Sequence, residues 1–314
     1  MGAKKMEDKE ILAVVNDHYS LHIDRLEFLR DSGSVAYAAY SNEGKYFLRI
    51  TKPAFHDTVL PSLDIHVFLL TQGFPVPPII WTKEHSPYVR IGGKEGERFY
   101  ILYAFIEGGE VDPEQDAEKI GALIGNFHHI MKAYPNALVK HDKPFYIDRY
   151  IEILRTKQYP EAARFAEYGD ALWERVKDLP RGYSHGDMYR GNFHKTPDGT
   201  IYVLDFDTSC LGFPLYDPVL ICNMTNYFEW EEDGYRKSKK VFDRFLPEYR
   251  KYNPLSEREA QSFFDMIALY HFALQATIIE LFGLDCVDNA FFDRQLDWLM
   301  RWRDQCERYA SEGR

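Results

Sequence analysis

Cysteine is scarce in this sequence: there are four, Cys210, Cys222, Cys286 and Cys306, with no CxxC pair, in a chain of 314 residues. That spacing suits neither a zinc site nor a disulfide-stapled secreted fold. Positive charge is also in deficit. Lys+Arg number 38 against 49 Asp+Glu, a formal net charge of −11 at pH 7. Nucleic-acid affinity rests on Lys and Arg neutralising phosphates, so no nucleic-acid partner is expected. The N-terminal MGAKKMEDKEILAVV lacks an uninterrupted apolar stretch of secretory type, and Met6 stands where a myristoylation signal needs Ser or Thr. The most apolar run, FFDMIALYHFALQATIIELFGL, is interrupted by Asp265, His271, Gln275 and Glu280. It suits a buried helix better than a membrane span, so no membrane partner is expected and the cytoplasm is the expected compartment. Also missing are a GxxxxGK[ST] P-loop, a GxGxxG element and any repeat of about 20 to 50 residues.

What is present is ordinary globular material, 45% hydrophobic and 28% charged, with length enough for about two domains. A short amphipathic segment at 11–18 precedes three β-prone runs, separated by turn signals at Asp31-Ser32-Gly33-Ser34 and Asn42-Glu43-Gly44-Lys45. These predict an antiparallel meander. A helix is predicted over 57–71, with Gly73 as its stop and Pro75, Pro77 and Pro78 beyond. Strands are predicted at PPIIWT, PYVRIG and ERFYILYAFI, after which Ile106-Glu107-Gly108-Gly109 reads as a linker. From Pro113 onward, Ile120, Leu123, Ile124, Phe127 and Ile130 recur at helical spacing. Further helices are predicted at 160–177, 216–229, 235–249, 256–281 and 289–309. The expected architecture is α+β, a small β-rich lobe over 1–106 and a larger helical lobe over 107–314.

The chemistry-bearing residues lie between the later helices. His185-Gly186-Asp187-Met188-Tyr189-Arg190-Gly191-Asn192 is followed by a strand, Ile201-Tyr202-Val203-Leu204, that delivers Asp205-Phe206-Asp207. A carboxylate and a carboxamide on one loop, with a second carboxylate at a strand end, suit phosphoryl transfer. One carboxylate can orient a hydroxyl and take its proton, while hard oxygens hold Mg²⁺ against nucleotide phosphates. An Asp beside Gly is also a common turn former. It is the set at this spacing that points to chemistry.

HGDMYRGN at 185–192, LDFD at 204–207 and the trailing GFPLYD at 212–217 resemble the aminoglycoside phosphotransferase family, which includes choline, homoserine and methylthioribose kinases. The resemblance implies a protein-kinase-like two-lobe fold and transfer of the γ-phosphate of ATP or GTP to a small-molecule hydroxyl such as that of an aminoglycoside, choline or homoserine. It implies Asp187 as catalytic base, Asn192 and Asp205 as Mg²⁺ ligands, and Asp217 as an acceptor bracing the catalytic loop. Asp207 is read either as a further metal ligand or as a cap. His185 is expected to hold the loop rather than react.

On the nucleotide side, Ser32-Gly33-Ser34 is either a phosphate cradle of backbone N–H groups or an ordinary hairpin turn. Arg49 stands where the phosphate-pairing lysine is expected; it keeps the charge but is not interchangeable with lysine. Asp64 is the nearest carboxylate to the expected position of its partner acid. The segment Tyr103, Phe105 and Ile106 would offer backbone groups to a purine edge.

On the acceptor side, Arg190 is read as reaching a phosphate or acceptor carboxylate, or as solvated. Glu229, Glu231, Glu232 and Asp233 around Trp230 form either an attractor for a cationic acceptor or a solvated helix end. Trp298 and Trp302, spaced i, i+4, could hold a quaternary ammonium on their aromatic faces, with core packing the favoured reading. One histidine of His128-His129 is expected in the core, because adjacent helical positions do not share a face. Two rival readings are a protein Ser/Thr kinase of the same fold and a catalytically silent binding module. Acceptor identity and oligomeric state are not encoded in any motif of the chain.

Overall fold

A central antiparallel sheet is built from β1 (Arg25–Asp31), β2 (Ser34–Ser41), β3 (Gly44–Thr51), β4 (Ile79–Ile80), β5 (Val89–Gly93) and β6 (Gly96–Ala104), in the order β1-β2-β3-β6-β4 with β5 also paired to β6. These are drawn from a computed structural model of the chain that describes residues 8–31, 33–53, 56–93 and 96–312. Internal contacts divide the chain into two units, Met1–Glu110 with Gly191–Thr208, and Val111–Arg190 with Ser209–Arg314. The sequence boundary after Ile106 is a single cut, whereas the contacts return 191–208 to the first unit.

In the first unit the run Phe99-Tyr100-Ile101-Leu102-Tyr103 is apolar throughout because both faces of β6 are covered. Tyr100 and Leu102 pack with Ile11 and Val15 of helix α1 (Asp8–His18), together with Tyr37, Leu48 and Ile50. Phe99, Ile101 and Tyr103 point to the opposite face and pack with Val59 and Leu63 of helix α2 (His56–Thr71). The two-residue period of the strand thus divides one apolar run between two cores. The strand predicted at PPIIWT is confined to Ile79–Ile80.

A small ribbon, β9 (Phe193–Lys195) paired with β10 (Ile201–Val203), belongs to the same unit. It is tied by Val203 N–H to the Pro75 carbonyl at 3.0 Å, and by a reciprocal backbone pair between Gly109 and Lys195 at 3.1 and 2.7 Å. Gly108, at φ +151°, lies so close to the Lys195 carbonyl that a side chain there would overlap it.

The second unit contains α3 (Pro113–Met131), α4 (Arg149–Thr156), α5 (Ala162–Val176), α6 (Tyr216–Cys222), α7 (Gly234–Arg250), α8 (Glu257–Gln261), α9 (Phe263–Phe282) and α10 (Asn289–Glu312), plus a three-stranded sheet in which β11 (Cys210–Gly212) joins β7 (Val139–Lys140) to β8 (Gly182–Ser184). Helix α3 starts at a full cap: the Asp112 side chain accepts from the Glu114 and Gln115 amides at 2.9 and 3.4 Å, and Pro113 follows it.

Three helical expectations change. The helix predicted over 216–229 stops at Cys222, because Asn223 turns extended and its Oδ1 accepts from the Thr225 amide at 3.1 Å. The run predicted over 256–281 is broken at Ser262, whose hydroxyl bonds back to the Arg258 carbonyl at 2.9 Å. A capping box between Ser256 and Glu259 makes α8 a separate turn. Helix α4 and the π-helical turn Pro144–Asp148 before it were not anticipated. Helix α9 has the length and composition of a membrane span, and Phe263, Met266, Ile267, Leu269 and Phe272 bury it in this unit. Trp298 and Trp302 are buried and stack on each other at 5.4 Å.

Helices α3 and α7 approach closely because Gly121 and Gly125 present no side chain: a Cβ at either would run into the carbonyl of Phe245 or Tyr249. Alanine is favoured over glycine in a helix interior by about 1 kcal/mol, but overpacking against backbone costs about 1–3 kcal/mol. Gly121→Ala is therefore expected to lower the melting temperature, whereas Gly109→Ala, where an added Cβ meets nothing within 4 Å, leaves it unchanged. Equal melting of both variants and the parent would contradict the close approach.

Candidate active site

The functional residues are built separately in the two units. In the first, Arg49 on β3 is placed opposite Ile101 of β6, and its guanidinium forks onto Asp207. Nη1 donates to Oδ1 at 3.3 Å and Nη2 donates to Oδ2. The two side chains are 14% and 22% exposed, so the pair is only partly screened. Burial works against the charge on Arg49, and the carboxylate of Asp207 outweighs it, with Tyr103 and Asp205 adding to the effect. The guanidinium is held above its ordinary value. The partner of Arg49 is thus an acid of the LDFD segment, while Asp64 lies on the exposed side of α2.

Asp205 adopts φ +60°, the left-handed region that costs a side-chain-bearing residue about 1–2 kcal/mol. Aspartate is among the residues that tolerate it. The strained turn is anchored by Phe206, 2% exposed, whose ring meets His66 edge-on at 5.7 Å. Asn192 is brought beside this turn by the β9–β10 ribbon: its carbonyl accepts from the Leu204 amide at 2.9 Å, one residue before Asp205.

Arg49, Asp205 and Phe206 border a cavity of about 270 Å³ lined also by Phe47, Pro77, Tyr103, Phe105, Ile106 and Leu204, with His66 and His194 among its polar residues. His66 was not singled out by the sequence. Its Nε2 donates to the Pro77 carbonyl at 2.7 Å. Burial first, and the charge of Arg49 second, pull its pKa down to about 4 against that hydrogen bond, so the ring is neutral at pH 7. Burial pushes the Tyr103 hydroxyl up to about 12. In the segment after β6 the Ala104 amide is already committed to the Pro78 carbonyl at 2.8 Å, while Phe105 and Ile106 line the cavity. Of the turn Ser32-Gly33-Ser34, Ser32 lies outside the described residues. Ser34 opens β2 opposite Thr51, and a Cβ at Gly33 meets nothing within 4 Å.

In the second unit, strand β8 delivers the loop that bears Asp187. Asp217, in the first turn of α6, is fully buried and accepts four hydrogen bonds. Oδ1 takes the Ser184 hydroxyl and the Gly186 amide, each at 2.9 Å. Oδ2 takes the His185 amide at 2.7 Å and His128 Nε2 at 2.9 Å. Burial alone would raise this carboxyl; the hydrogen bonds it accepts, from His128 first and the Gly186 amide among the rest, oppose that, and it is held below the ordinary carboxylate range.

Gly186 turns the chain at φ +82°, and the Asp187 amide donates to His185 Nδ1 at 3.3 Å. Asp187 is half-buried, next to fully buried Met188 and exposed Tyr189 and Arg190. Tyr270 of α9, unflagged by the sequence, is within electrostatic reach: burial foremost, then Asp187 and Tyr189, push its hydroxyl pKa up. His128 is buried and His129 exposed. The acidic run 229–233 is partly occupied, with Lys237 pairing Asp233 at 2.9 Å and Glu231 at 3.6 Å. No local signal pointed to Tyr249 of α7, whose hydroxyl reaches His128, or to Asn253 in the turn after it, which reaches that hydroxyl.

The profile of the phosphotransferase enzyme family matches residues 27–255. An uncharacterized protein of Deinococcus radiodurans is 21% identical over 314 aligned positions, spanning 94% of this chain and 90% of that protein. Among solved structures, amicoumacin kinase hAmiN in complex with AMP-PNP, Ca²⁺ and Ami superposes with a TM-score of 0.75 at 19% identity, covering 96% of this chain and 94% of that one. A microcompartment-associated aminopropanol kinase gives 0.71 at 16%, covering 97% and 98%. Spectinomycin phosphotransferase in complex with ADP and spectinomycin gives 0.65 at 16%, covering 95% of each. These likenesses establish the α+β fold expected from the sequence.

Asp217 also sets a stability prediction. Removing one partner of a buried, hydrogen-bonded charge costs about 3–5 kcal/mol, so Asp217→Asn is expected to unfold at markedly lower urea at pH 7. Because the folded carboxyl is depressed, its contribution is present above its unfolded value near 4 and fades as pH falls below it. The gap between parent and variant should narrow toward pH 3; a constant gap from pH 7 to pH 3 counts against the assignment.

Proposed function

Since the chain belongs to the phosphotransferase enzyme family, we propose that it moves the γ-phosphoryl group of ATP or GTP to a hydroxyl of a small molecule, in the presence of Mg²⁺. The observation that carries this is the loop of Asp187. Its preceding amides are clamped onto a buried carboxylate, which is how a general base is kept in one place on an otherwise exposed turn.

Asp187 orients the acceptor hydroxyl and takes its proton as the oxygen attacks the γ-phosphorus. The bond from that phosphorus to the bridging oxygen of the β-phosphate breaks, and nucleoside diphosphate leaves. The transition state is loose, so catalysis is mostly positioning and charge neutralisation. The cavity of the first unit suits a purine: aromatic and aliphatic walls with Arg49 and Asp205 among its lining. Arg49 has five N–H donors, enough to stay on Asp207 and still meet a phosphate oxygen.

Asn192 and Asp205 would hold the metal, which supplies charge neutralisation across the phosphates. The fit rests on the donor set: two hard oxygens from adjacent backbones, with the remaining coordination left to phosphates and water. Among the described residues no group of three or more His, Cys, Asp or Glu forms an all-protein cage. Asp207 is engaged by Arg49 and is assigned to that pair rather than to the metal.

The structural relatives include a choline kinase and an aminopropanol kinase, and choline and protonated aminopropanol are small cationic alcohols. An acceptor of that class is the substrate we favour. Phosphate transfer from ATP and from GTP, screened across amino alcohols, aminoglycosides, homoserine, methylthioribose and protein substrates, tests it. Transfer to proteins alone would overturn the small-molecule assignment.

Loss of a positioned base removes about 10²–10⁴ in rate. Asp187→Asn should lose that much turnover while a nucleotide at 100 times its Kd still stabilises it by about 2.7 kcal/mol in thermal denaturation. Turnover equal to the parent's on the best acceptor refutes the role of Asp187. Arg49→Gln should act in the opposite sense, raising the nucleotide KM about tenfold or more with a smaller effect on kcat. An unchanged KM would remove Arg49 from the nucleotide site.

A further inference from the structure

Four hydrogen bonds saturate the Asp217 carboxylate, and three of them come from the segment Ser184-His185-Gly186. The fourth comes from His128, on α3, and depends on a proton being at Nε2. A neutral imidazole carries one proton, on either nitrogen, so something must hold it on that side. His128 Nδ1 faces the Tyr249 hydroxyl at 2.7 Å. That hydroxyl also receives Asn253 Nδ2–H at 2.7 Å. In this orientation the Asn253 NH₂ donates and the Tyr249 oxygen accepts, which leaves the hydroxyl its own proton to give. Given to Nδ1, that proton makes Nδ1 the bare nitrogen and leaves Nε2 protonated toward Asp217.

The order Asn253 to Tyr249 to His128 to Asp217 therefore has one polarity. All of it is buried: Tyr249 is 1% exposed, His128 3%, Asn253 6% and Asp217 0%. The glycine contact described above makes it possible. Gly121, Gly125 and His128 occupy i, i+4 and i+7 of α3, one face. The close approach at Gly125 to the Tyr249 backbone brings the tyrosine hydroxyl to the imidazole.

We propose that Tyr249 and Asn253 are positioning residues for phosphoryl transfer: they hold His128 with a proton on Nε2 facing Asp217, and that contact completes the clamp on the His185 and Gly186 amides ahead of Asp187. The catalytic part of this rests on the phosphotransferase reading; the hydrogen-bond part does not. Tyr249→Phe deletes a single oxygen and keeps the ring, which stacks on Phe245 at 5.6 Å. Its expected signature is a split: kcat down about tenfold, near 1.4 kcal/mol, with the nucleotide KM unchanged. A merely structural tyrosine would lower the melting temperature and leave kcat alone.

A second substitution guards against simple misfolding. His128→Gln can still donate from Nε2 to Asp217 and accept at Oε1 from Tyr249, whereas His128→Leu can do neither. Gln is expected to retain several-fold more turnover than Leu.

Two measurements need no acceptor and no turnover. Nitrogen-15 NMR of the histidine-labelled protein should show His128 with a bare Nδ1 and a protonated Nε2 between pH 6 and 8, and a mixed population in Tyr249→Phe. Amide exchange at His185 and Gly186 should be faster in Tyr249→Phe than in the parent. A parent His128 protonated on Nδ1, or amide exchange unaltered by the lost hydroxyl, overturns the lock. An intact lock with kcat unchanged in Tyr249→Phe overturns the positioning role alone. Absence of phosphate transfer to any acceptor, with the NMR and exchange results as expected, overturns the phosphotransferase reading and leaves the lock standing.

Discussion

A fully buried carboxylate is the constraint on which the second unit is organised. Removing a charge from water costs several kcal/mol even after the protein relaxes, and Asp217 is tolerable only because every lone pair it presents meets a donor. Those donors come from strand β8, from the loop after it and from helix α3. Satisfying one side chain therefore fixes three segments of backbone at once. The same low dielectric that makes the unpaired group so costly makes the paired one rigid, and a rigid loop is what a general base on a turn requires.

The first unit solves a different problem by a different route. Its sheet is covered on both faces, so β6 can carry five consecutive apolar residues and still alternate between two cores. Onto that base it adds the partly exposed ion pair of Arg49 and Asp207 and a left-handed aspartate next to it. Neither feature is what stability alone would select. Strained backbone held in place by its surroundings is concentrated where geometry is needed for function. Here the anchor is Phe206 against His66, with the β9–β10 ribbon tied to Pro75 and to Gly109.

What was legible in the sequence is what depends on neighbours in the chain. The meander and the helix stop at Gly73 follow from turn and cap chemistry within a few residues, and α3 from its apolar stripe. The HGDMYRGN and LDFD segments were readable because each carries its functional groups within one loop. The illegible part depends on distance. Arg49 and Asp207 are 158 positions apart, and His128 and Tyr249 are 121 apart, so no local pattern announces either pairing. Hydrophobic periodicity also ran on through Ser262 and past Cys222, because it registers faces and is blind to a hydroxyl or carboxamide that diverts a backbone hydrogen bond. Pro160 to Lys177 was readable as a helix, and α4 was not, being a two-turn element continuous with a π-helical turn.

The placement of 191–208 with the first unit bears on how the proposed chemistry is divided. Asn192, Asp205 and Asp207 lie on a segment tied to β3, α2, Pro75 and Gly109. Asp187 is fixed by contacts to α3 and α6. In the proposed chemistry, phosphate charge and acceptor proton would thus fall to groups with independent supports, even though five positions separate Asp187 from Asn192 in the chain. Independent supports should give nearly additive effects when one substitution is made in each set. Kinetic parameters should separate along the same line, affinity for nucleotide following the first set and turnover following the second. A fold that holds the two halves of a reaction by separate networks can exchange one acceptor for another by altering the second unit, without disturbing the residues that meet the nucleotide.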